Sequence, residues 1–315
     1  MAEVIAEEVS LHQKIRDLAK EKNALLLAHY YQRDEIQEVA DFVGDSLGLA
    51  RKAKETDNEI IVFAGVKFMA ETAKIVNPEK RVFLPDLDAG CSLADNCTPE
   101  AFGAFLKKYP DHLVITYVNT SAEIKAMSDI ICTSSNAESI VRQIPEEQKI
   151  VFAPDANLGK YIMKQTGRDM VLWDGSCIVH EAFSVDKLMN LMKLYPDADL
   201  IAHPESESHI LNISNFVGST SKLINYVKES NTTTFIVGTE AGILKKMQEA
   251  APDKTLIAAP AKEDNNCNCS ECAFMKMNTM EKVYNCLKNE SPEIFVDKDI
   301  IEKAVVPLDR MFEYS

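Results

Sequence analysis

No run of apolar residues reaches the ~18 needed to cross a bilayer as a helix, which excludes a helical membrane protein. Basic residues are outnumbered, 34 Lys and Arg against 49 Asp and Glu. The net charge of -15 argues against nucleic acid or an anionic membrane as partner, since both require basic patches. It leaves room for a small anionic substrate, which hydroxyls and helix N-termini can hold locally. The first residues, MAEVIAEEVSLHQKIRDLAKEKN, are acidic and helical in pattern, without the basic start or apolar core of a signal peptide. No Pro/Gly/Ser-rich linker divides the chain, so its units are expected to pack tightly. Cysteine, by contrast, is plentiful. Eight cysteines without an export signal point to a reducing compartment, the cytoplasm, where clustered cysteines more often bind metal or do chemistry than form disulfides.

At 315 residues, 46% hydrophobic and 26% charged, the chain is globular in composition and exceeds one ordinary core. It repeats itself three times, each copy closing on a cysteine: Cys91, Cys177 and Cys272. The repeat is 86 residues from Cys91 to Cys177 and 95 from Cys177 to Cys272, where the loop AKEDNNCNCSEC supplies the excess. Four short apolar runs recur per copy, separated by helical patterns. The first runs are Ala24–Ala28, Leu113–Thr116 and Leu200–Ala202; the second, Asp41–Gly44, Asp129–Cys132 and Asn215–Gly218. The third are Glu59–Ala64, Lys149–Ala153 and Thr234–Val237; the fourth, Arg81–Pro85, Met170–Trp173 and Thr255–Ala258. Continuous apolar runs of this length alternating with helices predict parallel sheets covered on both faces. A TIM barrel fits poorly, because three four-stranded units do not make eight strands. The expectation is an α/β protein: three repeated α/β/α, Rossmann-like domains in a pseudo-threefold triangle around a central site. Their expected spans are residues 1–105 with an N-terminal helix, 106–190, and 191–315 with a helical tail.

In open parallel sheets ligands sit beyond the carboxyl ends of the strands. The first runs lead into His29-Tyr30-Tyr31, Tyr117-Val118-Asn119 and His203-Pro204-Glu205, which place proton-transferring side chains at equivalent positions. Polar residues that satisfy a turn are the plainer reading of each. The second runs lead into Gly44-Asp45-Ser46, Cys132-Thr133-Ser134-Ser135 and Gly218-Ser219-Thr220-Ser221. Such residues are ordinary helix caps, and a helix start bearing hydroxyls also binds carboxylate or phosphate. The third runs lead into Gly65-Val66-Lys67, Pro154-Asp155-Ala156-Asn157 and Gly238-Thr239-Glu240, individually weak signals.

A structural zinc site closes with four ligands. One thiolate per repeat makes three, which fits either an open zinc site or an iron–sulfur cluster with one iron free. A local Cys267, Cys269, Cys272 motif is the rival grouping, while Cys97, Cys132 and Cys286 read as structural or incidental. From these residues alone, a non-catalytic binding protein with a structural metal and a zinc-dependent lyase also stay open.

Across essentially its whole length the sequence resembles the quinolinate synthase family. The resemblance is carried by AHYYQRDEIQEVADFVGDSL, the Asp-Ala-Gly-Cys-Ser-Leu-Ala-Asp loop, ITYVNTSAEIKA, FAPDANLG, WDGSCIVHE, AHPES, FVGSTS, VGTE and CAFMKMN. It implies a triangle of three α/β domains with a central [4Fe–4S] cluster held by Cys91, Cys177 and Cys272, one iron remaining open. It implies condensation of iminoaspartate with dihydroxyacetone phosphate to quinolinate, phosphate and two waters, in de novo NAD biosynthesis. It further implies a link to an iminoaspartate-producing enzyme and to iron–sulfur carriers. By resemblance, His29 and Tyr31, Tyr117 and Asn119, and His203 and Glu205 are the active-site pairs. Ser46, Ser134, Ser219 and Thr220 match ligand-anchoring hydroxyls. Tyr31 and Glu205 are expected to transfer protons, with Tyr117 beside them, and His29 and His203 to orient carboxylates or phosphate. The chain departs from the family pattern at Ser206, where many relatives carry Cys, and at Ala273, where Pro is frequent.

Overall fold

The computed structural model describes residues 10–262 and 270–315, in which twelve β-strands form three separate four-stranded sheets. The first sheet contains β1 (Ala24–His29), β2 (Phe42–Gly44), β3 (Ile60–Ala64) and β4 (Arg81–Phe83). The second contains β5 (Leu113–Tyr117), β6 (Ile130–Cys132), β7 (Ile150–Ala153) and β8 (Val171–Leu172). The third contains β9 (Asp199–Ala202), β10 (Phe216–Val217), β11 (Thr234–Gly238) and β12 (Thr255–Ala258). Each sheet has the same order, β2-β1-β3-β4 in the first and its equivalents in the others, and every pairing is parallel. The three sheets are open, with no closed barrel.

The apolar runs become strands because helices cover both faces, so no residue of β1, β3 or β7 can be polar and exposed. Among the expected strands β8 and β10 each shrink from four residues to two, Val171–Leu172 and Phe216–Val217. Both are edge strands and only half-buried, so less of their pairing is enforced by packing.

A side-chain clasp recurs in all three repeats. The residue opening the second strand returns its side chain to the first strand 15 positions earlier. Leu26 N–H donates to Asp41 Oδ2 at 2.8 Å, Val114 N–H to Asp129 Oδ2 at 2.8 Å and Leu200 N–H to Asn215 Oδ1 at 2.9 Å. In return the backbone N–H groups of Asp41, Asp129 and Asn215 donate to the carbonyls of Leu26, Val114 and Leu200. The clasp closes the edge pair where the strand itself is too short to do so. Asp129→Ala leaves the Val114 N–H without its acceptor in a partly buried place. It is expected to cost roughly 1–3 kcal/mol, read as a lower denaturant midpoint of the metal-free protein; an unchanged midpoint would show the clasp to be idle.

The terminal helices are peripheral. Leu11–Glu21 packs on Met280–Asn289, while Lys298–Glu313 lies against β6 and the helices Ala122–Lys125 and Lys67–Val76. The last helix therefore crosses the second and first repeats. Its Arg310 Nη1 donates to the Asp129 carbonyl at 2.8 Å. Among the described residues no helix is long and apolar enough to cross a membrane.

Candidate active site

In each sheet the chain turns from one side of the first strand to the other between the first and third strands, leaving a crevice at their carboxyl ends. The three crevices share one cavity of about 70 Å³, lined from all three repeats. Its walls include His29, Tyr31, Tyr117, Asn119, His203, Glu205, Ser46, Ser134, Thr220 and all three repeat-equivalent cysteines. None of the lining residues is Lys or Arg. Lys67 is exposed, and Ser219 is fully buried with its hydroxyl accepting the Lys222 N–H that starts its helix.

The strand-end pairs share a local device. Tyr31 N–H donates to His29 Nδ1 at 3.2 Å, and Glu205 N–H donates to His203 Nδ1 at 3.4 Å. With Nδ1 accepting, each neutral ring carries its proton on Nε2. His203 Nε2 meets Ser134 Oγ at 3.1 Å, joining the third repeat to the second. Burial lowers His29 from 6.5 to about 4, against the charges of Asp45 and Glu205. Burial likewise lowers His203 to about 3, opposed by Glu205. Both rings are therefore neutral donors near pH 7.

The unfolded histidines take up protons first, as pH falls below 6.5. Their contribution to stability is full above that value and is lost as pH falls toward 4. The metal-free protein is expected to show a falling denaturant midpoint from pH 7 to pH 4.5. His29→Asn and His203→Asn should each make the fall shallower; an unaltered slope in both would refute this source.

A polar chain crosses the cavity wall. Tyr31 Oη lies 2.8 Å from Thr239 Oγ1, which lies 3.0 Å from His180 Nε2. His180 Nδ1 is 3.2 Å from Glu205 Oε2 in a bent contact, and Glu205 Oε1 accepts a short hydrogen bond from the Tyr117 hydroxyl. Burial alone would raise the Glu205 carboxyl. The nearby His180 and His203, with the hydrogen bond from Tyr117, outweigh it and hold the group low, at about 2. The neighbouring Asp155 goes the other way: burial first, then the Glu205 charge, pushes it well above its ordinary range. Two buried carboxyl groups this close keep one charge between them. Burial and the same charge push the Tyr31 and Tyr117 phenols well above 10, so both remain hydroxyls.

The three helix starts meet, but around a side chain of the protein. Asp45 Oδ1 caps its own helix at Gly48 N–H, 2.8 Å away. Its Oδ2 accepts the hydroxyls of Ser135 at 2.9 Å and Ser221 at 2.7 Å, one from each other repeat. Ser46, Ser134 and Thr220 still face the cavity beside this hub. Asn119 Oδ1, also on the cavity, is buried without a partner among the described residues.

The cysteine loops are built alike. The backbone N–H of Lys67, Ala156 and Ala241, just past the third strand, donates to the carbonyl two residues before each cysteine. Those acceptors are Ala89 at 2.8 Å, Gly175 at 2.8 Å and Ser270 at 2.9 Å. Each cysteine carbonyl then accepts the N–H four residues on, from Asp95, Glu181 and Lys276, which opens a helical turn. Backbone N–H groups of that turn favour each thiolate, Leu93 and Ala94 at Cys91, His180 at Cys177, Phe274 and Met275 at Cys272, although neither Cys91 nor Cys177 accepts a capping hydrogen bond. Burial pushes the Cys91 thiol up to about 12 and raises the other two, and neighbouring thiols add to the rise at Cys91 and Cys177. Three thiols at one cavity, whose ionised forms burial disfavours, suit a cation-bearing group that would offset the charge of the bound thiolates. Cys177, His180 and Glu205 also bring ligand atoms within 4.8 Å of one another, a set that can hold a metal ion. Cys97, Cys132 and Cys286 lie in the hydrophobic core. Cys267 and Cys269 lie outside the described residues.

Sequence reasoning did not single out His180 or the Asp45 hub, and it weighted Thr239 lightly. Of these only His180 carried a usable signal, three residues after a repeat cysteine in WDGSCIVHE.

A family model described as "Quinolinate synthetase A protein" matches residues 13–313. The chain is 57% identical over 305 residues to the quinolinate synthase of Microcystis aeruginosa, covering 97% of this chain and 95% of that one. It is 59% identical over 307 residues to the quinolinate synthase of Nostoc punctiforme, covering 98% and 94%. The quinolinate synthase of Gloeothece citriformis is 58% identical over 305 residues, with 97% and 94% covered.

Proposed function

The chain belongs to the quinolinate synthase family of enzymes, and on that premise we propose that it condenses iminoaspartate with dihydroxyacetone phosphate. The atoms balance as quinolinate, one phosphate and two waters, so the reaction is a carbon–carbon and carbon–nitrogen condensation with dehydration. The observation that carries this reading is the shared cavity: one thiol per repeat faces an acid–base chain drawn from all three.

The protons move through this chain's own groups. Tyr117 donates to Glu205 and helps hold it as carboxylate. That charge favours the His180 tautomer with its proton on Nδ1, leaving Nε2 to accept from Thr239, which in turn accepts from Tyr31. A proton leaving the Tyr31 oxygen therefore passes through Thr239 to His180, and Glu205 stabilises the resulting imidazolium. The logic is that of an acid–imidazole–hydroxyl triad. Because the Tyr31 phenol is held far above its ordinary pKa, it does not rest as a phenolate but relays, its oxygen taking a proton from substrate as its own passes to Thr239. His29 presents a neutral Nε2–H group to substrate carboxylate or phosphate, while the His203 Nε2–H donates to Ser134 Oγ and orients that hydroxyl toward the same groups. Ser46, Ser134, Thr220 and the amide of Asn119 complete the anchoring without a cationic side chain. Ser219 supports its helix start by capping.

Cys91, Cys177 and Cys272 would hold a [4Fe–4S] cluster, and their thiols at one cavity fit it. When bound with one iron open, such a cluster supplies Lewis-acid chemistry that assists departure of a hydroxyl group. The six described cysteines are all free, in keeping with a reducing cytoplasm. A condensing enzyme of this kind draws on a producer of iminoaspartate and on iron–sulfur carriers.

The test is an anaerobic assay of the reconstituted protein with dihydroxyacetone phosphate and freshly made iminoaspartate. Quinolinate and phosphate should appear in equal amounts; their absence from protein that holds its cluster would sink the reading. The compact Cys177, His180, Glu205 set favours one rival, a single zinc ion in a hydrolase or lyase site. That rival predicts a colourless active protein with one zinc, indifferent to Cys91→Ser and Cys272→Ser.

A further inference from the structure

Glu240 and Lys276 form a buried ion pair that the relay and the anchoring groups do not use. Glu240 follows β11 and its side chain has no exposed surface, while Lys276 is 11% exposed, with Nζ 3.0 Å from Glu240 Oε1. Each end also holds backbone. Oε1 accepts the Cys272 N–H at 3.0 Å, Oε2 accepts the Gly242 N–H at 2.7 Å, and Lys276 Nζ donates to the Tyr31 carbonyl at 2.7 Å. One ion pair thus ties the backbone of the third repeat's cysteine to that of the first repeat's tyrosine. Arg33 supports the same segment, its Nη2 donating to the Lys276 carbonyl at 3.1 Å.

Position 242 bears on the pair independently. A Cβ there would stand 2.8 Å from Glu240 Oε2, 2.9 Å from Lys276 Nζ and 2.9 Å from the Tyr31 carbonyl carbon. Glycine at 242 is required by space, because the pair and the Tyr31 backbone occupy the volume a side chain would take. A buried ion pair is a poor way to gain stability, since apolar residues of similar size often serve as well or better. What apolar residues cannot supply is a set of directional bonds to Cys272, Gly242 and Tyr31.

We propose that Glu240 and Lys276 are positioning residues that set the Cys272 thiol and the Tyr31 hydroxyl as one unit, so that the third cluster ligand and the head of the proton relay move together or not at all. This rests on Cys91, Cys177 and Cys272 being the cluster ligands. Supporting groups around a metal site commonly change its affinity by roughly 10–100-fold. The double variant Glu240→Met/Lys276→Met removes both charges together and avoids stranding either one.

With reconstituted, cluster-bearing protein, iron release to a chelator is followed by absorbance, and thermal unfolding is recorded alongside. The double variant should unfold near the wild-type temperature yet lose iron roughly tenfold faster or more. Gly242→Ala, which keeps both charges but displaces them, should do the same. In both, kcat of the protein still holding its cluster should fall, because the Tyr31 backbone shifts with the loop. If the double variant does not fold, Gly242→Ala decides alone. Wild-type iron retention in a folded variant overturns the proposal. Wild-type protein that takes up no iron and sulfide overturns the cluster assignment instead.

Discussion

Cys91→Ser, Cys177→Ser and Cys272→Ser are each expected to leave the protein with less than about a tenth of its iron after anaerobic assembly. Serine is close in size to cysteine, so the loops should keep their shape. Their ties, Lys67 to Ala89, Ala156 to Gly175 and Ala241 to Ser270, are backbone bonds that the substitution leaves alone. What is lost is the thiolate, the ligand that suits an iron–sulfur cluster. Three ligands leave no redundancy, since no fourth repeat can replace a missing one. Cys97→Ala and Cys132→Ala are the controls: both residues are core side chains, so their loss should lower stability while iron is retained. Iron content by colorimetry, with visible absorption, decides the matter. Full iron in any one of the three serine variants would break the trio.

Glu205→Gln should lower kcat by on the order of 10³ while the cluster stays in place. The carboxylate receives Tyr117 on one oxygen and faces His180 and His203, so the amide changes more than one contact. An amide carries no charge to stabilise an imidazolium at His180. Its NH₂ group can also donate toward Nδ1, which favours the opposite tautomer and turns Nε2 into a donor aimed at Thr239. The relay from Tyr31 then has no acceptor. Tyr31→Phe removes the head of the same relay and should fall with Glu205→Gln rather than multiply it, because residues acting as a unit are not additive. Single-turnover rates of the two single variants and the double would show this. A Glu205→Gln enzyme within about tenfold of wild type would remove the carboxylate from the proton path.

The strands were legible because each is an unbroken apolar run between polar turns, a pattern that only a sheet buried on both faces tolerates. The repeat also told which strand ends were equivalent. His29, Tyr117 and His203, with Tyr31, Asn119 and Glu205 two residues on, could thus be aligned before any contact was known. His180 could not be found that way, since it has no counterpart of its type in the other repeats and gains meaning only beside Glu205 and Thr239. Asp45 is the helix cap its residue type predicts. That its second carboxylate oxygen gathers Ser135 and Ser221 from the other two repeats is not legible in the sequence. Lys276 stood in the CAFMKMN motif without a partner until folding brought Glu240 against it.

Local periodicity and internal repetition specified the elements, their order and the one-cysteine-per-copy count, because those properties depend on residues near one another in the chain. The cavity, the charge state of Glu205 against Asp155 and the course of the proton chain depend on side chains from different repeats meeting out of water. Burial sets those interactions, and burial exists only once the three sheets have closed on one another. The sequence told how many thiols there were and that they were equivalent; the packing decided what they would face.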